Sequence, residues 1–250
     1  MTTRDSQGQL FLVIAILTYF LILVLNRTLP PEIMERMVNE NGEIELAQWL
    51  VITTAFFLAS ATYLTRLRRS EARPLLKTWF VLLALGSLYI SGEEISWGQW
   101  FFFWDTPESL MALNDQGETN LHNMSSWFDQ KPRALVEIGI IIGGIILPLW
   151  MRFSPRLAQH DLAMFVPSLA LLPTAVLVEW SALPSRAGSW FGPDAPLSFL
   201  FLHRSSEVQE LFIYMFILFY VLELRRRIPG HVAERAVKAL HASPASGSRS

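Results

Sequence analysis

The sequence has no cysteine. That absence excludes disulfides, thiolate nucleophiles and thiolate metal sites, so a metal bound here would need imidazole or carboxylate ligands. A basic excess is missing too: 20 Lys and Arg stand against 22 Asp and Glu, for a net charge of −2, which leaves no electrostatic footprint for nucleic acid. The chain carries no glycine-rich phosphate loop, no G-x-S-x-G elbow and no internal repeat. Its first apolar run, Leu10–Leu25, is followed by NRTLPPE without a small-x-small cleavage pattern, so it is expected to be a retained helix rather than a signal peptide.

What is present is apolar length. Hydrophobic residues make up 52% of the chain and charge is confined to clusters between long apolar runs, the composition of a polytopic membrane protein. Five further segments have spanning length at about 1.5 Å per residue, namely Ile44–Leu64, Leu75–Gly92, Ala134–Met151, Leu162–Trp180 and Ser206–Leu224. The expected fold is all-α: a transmembrane bundle of six spans over 1–228, a short interfacial helix in its long outer loop, and a basic, partly disordered tail over 229–250. Pro167 and Pro173 are expected to kink the fifth span.

Charge sets the orientation. Arg66, Arg68, Arg69, Arg73 and Lys77 lie between spans two and three, Arg152 and Arg156 between four and five, and Arg225–Arg227 after six. By the positive-inside rule these sides and both termini face the cytoplasm, with a bacterial inner membrane as the expected location and no nucleic-acid partner.

The acids gather at the other ends of the spans. Glu43 and Glu45 open span two, Glu93 and Glu94 close span three, Glu179 closes span five, and Glu207 and Glu210 open span six. An ionised carboxylate at that depth costs several kcal/mol unless it faces protein or water, so these groups are expected to point into one cavity. Glu43, Glu137 and Glu223 are expected to be solvated or ion-paired instead, and Arg133, Arg186 and Arg204 are placed to serve as partners. Adjacent Glu93 and Glu94 point about 100° apart on a helix, which assigns them different roles.

Over this acidic side hangs the loop 93–133. Thr106-Pro107-Glu108 has the residues of a helix start, predicting a short helix to about Asn114. The stretch GETNLHN then offers Glu118, Asn120, His122 and Asn123. On span six, His203, Glu207, Glu210 and Tyr214 step by four, three and four and share one face.

The stretches GEEISWGQ and ETNLHN resemble signatures of a family of bacterial multi-pass membrane proteins, which implies a family without an activity. A thinner resemblance is to the CPBP intramembrane proteases related to the CAAX-processing endopeptidase. Glu93-Glu94 begin that family's Glu-Glu-x3-Arg motif, with Gly98 or Gln99 at the Arg position, Phe199-x3-His203 fits its F-x3-H, and His203-x3-Glu207 approximates its H-x3-Asn/Asp.

The resulting expectation is a membrane-embedded hydrolase or transferase acting on a lipid or peptide from the outer leaflet. Glu93, Glu94, His122, His203 and Glu207 are the candidate catalytic residues, with water activated directly or on a divalent metal held by His and Glu. Gln99, Asn120, Asn123, Glu179 and Glu210 are the candidates for binding substrate. The alternatives are a proton- or cation-coupled transporter, since clustered intramembrane acids also bind ions, and a non-catalytic subunit of a membrane complex.

Overall fold

The computed structural model of the chain describes residues 3–38, 42–111, 119–120, 126–192 and 204–242, and every regular element among them is helical. In order these are α1 (Thr3–Thr28), α2 (Pro31–Val38), α3 (Glu43–Thr62), α4 (Pro74–Glu94), α5 (Gln99–Phe102), α6 (Glu108–Met111), α7 (Ser126–Ile140), α8 (Leu147–Phe153), α9 (Pro155–Ala158), α10 (Leu172–Phe191) and α11 (Ser205–Ala242). A π-turn over Tyr63–Leu67 extends α3, and a second over Ile141–Ile146 joins α7 to α8 without a break. Pro74 opens α4 after extended Arg73, where a residue lacking an N–H leaves no intrahelical bond unmade.

Four segments among the described residues are long and apolar enough to cross a membrane: Ser6–Thr28, the stretch within Pro31–Leu67, Pro74–Glu94 and Pro132–Phe153. Their outward faces carry Leu17, Phe20, Leu50, Phe57, Leu82, Leu85 and Leu135, all exposed. So continuous an apolar surface suits lipid and not water, and the chain is an all-α membrane protein.

The remaining two long helices differ from expectation. A fifth span over 162–180 does not form. Asp161–Phe165 is a 3-10 turn, Val166 is extended as a residue preceding proline tends to be, and α10 starts at Leu172 with Pro173 in its first turn. The two prolines therefore delay the helix rather than kink it, and Glu179 lies two turns inside α10 instead of at its end. Helix α11 runs on past Leu224, through Pro229, to Ala242.

Helix α11 is buried on most of its faces and forms the centre of the bundle. Val208, Phe212, Val221 and Leu224 are fully buried, against α3, α10 and α1 among others. Phe11 of α1 stacks on Phe219 at 4.3 Å between ring centres, and Trp180 Nε1 of α10 donates to Tyr19 OH at 2.8 Å. Such a helix is solvated by protein, so acids on it need partners in the bundle rather than an apolar surround.

The partners divide the bundle into two ends. At the basic end, Tyr220 OH donates to Phe165 O, Arg227 Nη1 to Met164 O and Val166 O, and Ser168 N to Glu223. These bonds satisfy the non-helical backbone between 161 and 171, as backbone among apolar helices requires. Glu223 also pairs with Arg227, as its expected bland role demands. The acidic end holds the candidate site.

Candidate functional site

The site is built on the last turn of α4. Ser91 Oγ shares a 2.6 Å hydrogen bond with Thr53 Oγ1 of α3, fixing the rotation of the helix just before its acids. Gly92 then leaves room for an indole: a Cβ there would lie 2.8 Å from Trp97 Cε3 and Cζ3. Trp97 reaches that place because the chain reverses through Ser96, Trp97 and Gly98, all with positive φ, and Gly98 at φ 108 occupies backbone that L side chains rarely adopt. With its ring against Gly92, Trp97 donates from Nε1 to Glu93 Oε1 at 2.7 Å.

Glu94 turns the other way. Tyr214 OH of α11 donates to Glu94 Oε1 at 2.7 Å. The two adjacent acids thus have the separate partners that the angle between them implies. Among the described residues, Glu94 is faced by the carboxylates of Glu210, Glu45 and Glu207. Carboxylates from α3, α4 and α11 therefore do meet at one level.

Cations and amides complete the cluster. Arg133 of α7 ion-pairs with Glu210, donates from Nη2 to Gln209 Oε1 at 2.6 Å, and reaches Ser206 O at 3.2 Å. Gln48 of α3 donates from Nε2 to Glu207 O at 2.7 Å, and Arg204 faces Glu207 while donating to Val38 O at 3.3 Å. A cavity of about 220 Å³ opens between α4 and α7 on the floor of α11. Glu93, Glu94, Arg133, Glu210 and Tyr214 line its polar end, while Gly86, Ile90, Val136 and Ile213 line the rest. It is an apolar groove with a polar head.

Of the residues named from sequence, Glu93, Glu94 and Glu210 line this cavity and Glu207 stands beside them. Gln99 and Asn120 do not line it. Gln99 donates to Trp104 O at 3.0 Å and to Thr106 Oγ1 at 2.9 Å and accepts from Thr119 N at 2.7 Å, while Asn120 donates to Ser96 Oγ at 3.1 Å. Both tie the outer loop onto the reversal after α4. Thr106 spends its hydroxyl there, and the short helix begins at Glu108.

Glu179 is drawn elsewhere, into an ion-paired group with Arg186 and Glu137 that clamps α10 to α7. Glu43 lies exposed beside Arg36 at 3.6 Å. His122, Asn123, His203 and Glu118 lie outside the described residues. Among the described residues, no group of three or more His, Asp and Glu side chains is arranged to hold a metal.

Sequence reasoning under-used four residues. Trp97 looks like one more interfacial aromatic, but its place directly before a glycine and four after a glutamate marks the reversal. Arg133 was legible as a lone cation at the level of the acids. Gln48 and Gln209 were missed; their signal is an amide inside an otherwise apolar helix face, three residues from Glu45 and two from Glu207. Comparison with protein-family models, with curated proteins and with solved structures finds no match to this chain.

Proposed function

We propose that the groove between α4 and α7 is the site of a membrane-embedded hydrolase or transferase that takes a lipid laterally from the bilayer. The observation that carries this reading is the joining of an apolar trough, open between two lipid-facing helices, to a head of carboxylates and tyrosine. Glu94 is the general base. Its Oε1 is held by Tyr214, which leaves the second oxygen to take a proton from water or an acceptor hydroxyl as that oxygen attacks the substrate. Arg133 and Glu93 border the same space and position the head group.

The basic end supports an orientation with that end, and both termini, in the cytoplasm of a bacterial cell, which puts the groove in the outer leaflet of the inner membrane. A carrier is the weaker reading. Trp79 Nε1 donates to Tyr220 OH at 2.9 Å and the 161–171 link is bonded across α11, so the groove meets a packed end. Such a groove suits a site more than a conduit.

The test is the pair Glu94→Gln and Glu94→Asp with Tyr214→Phe, scored by the lipid profile of membranes at matched protein abundance. Glu94→Gln removes the base and should abolish turnover. Glu94→Asp withdraws the carboxylate by about 1 Å and should cost about a hundredfold in a catalytic step. An unchanged lipid profile in Glu94→Gln would remove the reading's central residue.

A further inference from the structure

The trough below the polar head ends at a glycine that no protein packing explains. Gly92 clears the Trp97 ring and Gly144 clears the Phe216 ring, each at a place where a Cβ would lie 2.8 Å from an aromatic carbon. A Cβ on Gly86 would meet nothing within 4 Å, although Gly86 lines the cavity. Glycine inside a helix weakens it, so this notch has a cost for which the bundle gains no contact. Leu82, Leu85 and Tyr89 around it on α4 all carry large, exposed side chains.

The surroundings indicate what fills the notch. Leu85 and Tyr89 on α4, and Leu135 beside Val136 on α7, are exposed on spans whose outer surface meets lipid, so the trough between these helices is continuous with the bilayer. An apolar gap gives water no partners, and left empty it forfeits the dispersion contacts of its lining. The material at hand to fill it is a lipid chain.

The dimensions suit one such chain. On α4 the lining runs from Glu93 back to Gly86, about 11 Å at the helical rise per residue. Over that length a volume of about 220 Å³ leaves a width of about 5 Å, which takes one alkyl chain in van der Waals contact and not two. Deeper in, the trough closes: Ile140, one turn past Val136 on α7, is buried, and Gly144 lies against Phe216 of α11. An extended chain with bonds of about 1.5 Å advances about 1.25 Å per carbon, so about eight carbons span the lining from Glu93 to Gly86.

We propose that the groove holds one unbranched alkyl chain of a membrane lipid to a depth of about eight carbons, with Gly86 setting that depth. This rests on the groove being a lipid site, as proposed above, and specifies which part of the lipid it binds and how far in. Leucine at position 86 would fill the deep end without striking the protein and favours the helix over glycine.

The experiment uses the full chain in phosphatidylcholine nanodiscs doped with hexadecanol that carries a photoreactive diazirine at carbon 4 or at carbon 8. Labelled residues are mapped by peptide mass spectrometry after irradiation. The carbon-8 probe should label Gly86, Val136 and Ile213, and the carbon-4 probe should label nearer the head, around Ile90. Excess unmodified hexadecanol should reduce both at least about tenfold while leaving labelling of outward Leu82 and Leu135 unchanged. Gly86→Leu, at unchanged thermal unfolding, should lose the carbon-8 label at Val136 and Ile213 and keep the carbon-4 label at Ile90. Labelling of the groove no stronger than that of Leu82 and Leu135, or not reduced by competitor, overturns the bound chain. A carbon-8 label at Val136 that survives Gly86→Leu overturns the depth assigned to Gly86. Occupancy is read here without turnover: a filled groove with an unchanged lipid profile in Glu94→Gln sinks the enzyme and keeps the bound chain, and an empty groove with an altered profile does the reverse.

Discussion

Within SGEEISWGQW nearly every residue has a separate task that its chemistry explains. Ser91 bonds Thr53, Gly92 yields space to the Trp97 ring, Glu93 accepts from Trp97, Glu94 accepts from Tyr214, Ser96 accepts from Asn120, Gly98 turns the chain and Gln99 anchors the loop. The tightest of these is Gly92. Gly92→Ala places a methyl 2.8 Å from the indole, so Trp97 must swing outward and release Glu93 Oε1. Overpacking of this kind costs about 1–3 kcal/mol, which exceeds the helix propensity that alanine adds in a last turn. Thermal unfolding in detergent should show Gly92→Ala destabilised, and the added change Trp97→Val should cancel most of the penalty. Additive losses would mean that the two residues do not meet.

At the scale of elements, α7 is tied to its neighbours by charge at two positions, Arg133 and Glu137. It touches α11 through Arg133 and α10 through Glu137, and the π-turn after it approaches Phe216 only because Gly144 has no side chain. Arg186 answers both Glu137 and Glu179, so Arg186→Met leaves two carboxylates facing each other with no cation between them. Removing one partner of a buried pair costs about 3–5 kcal/mol, whereas replacing the whole set by uncharged groups is close to neutral. Because the triad is part-exposed, with 32% of the Arg186 side chain accessible, the lower end of that range applies. The single variant should lose stability, and the triple variant Arg186→Met/Glu137→Gln/Glu179→Gln should regain most of it. How legible such elements were in the sequence depended on length. Spans one to four followed from apolar runs near 20 residues, and the convergence of acids followed from their common level. The delayed start of α10 and the long α11 did not follow, because two prolines six residues apart and a protein-solvated helix are decided by neighbours, not by hydropathy.

For the whole molecule, the charge at the two ends predicts how the groove is presented. Arg66, Arg68, Arg69, Arg152 and Arg225–Arg227 cluster at the end where Tyr220 and Arg227 bind the 161–171 link, and Glu45, Glu94, Glu207 and Glu210 gather at the other. In a bilayer, basic residues close to span ends stay on the cytoplasmic side, so the acidic groove should open to the outside. The lack of native cysteine makes this directly measurable, since a single introduced thiol is the only one in the chain. Arg69 and Asp105 are both exposed and lie beyond opposite ends of α4. In intact spheroplasts a membrane-impermeant maleimide should label Asp105→Cys and leave Arg69→Cys untouched until the membrane is permeabilised. Labelling of Arg69→Cys alone would turn the molecule over. The groove, the ligand it takes and the leaflet that supplies that ligand would then all belong to the cytoplasmic face.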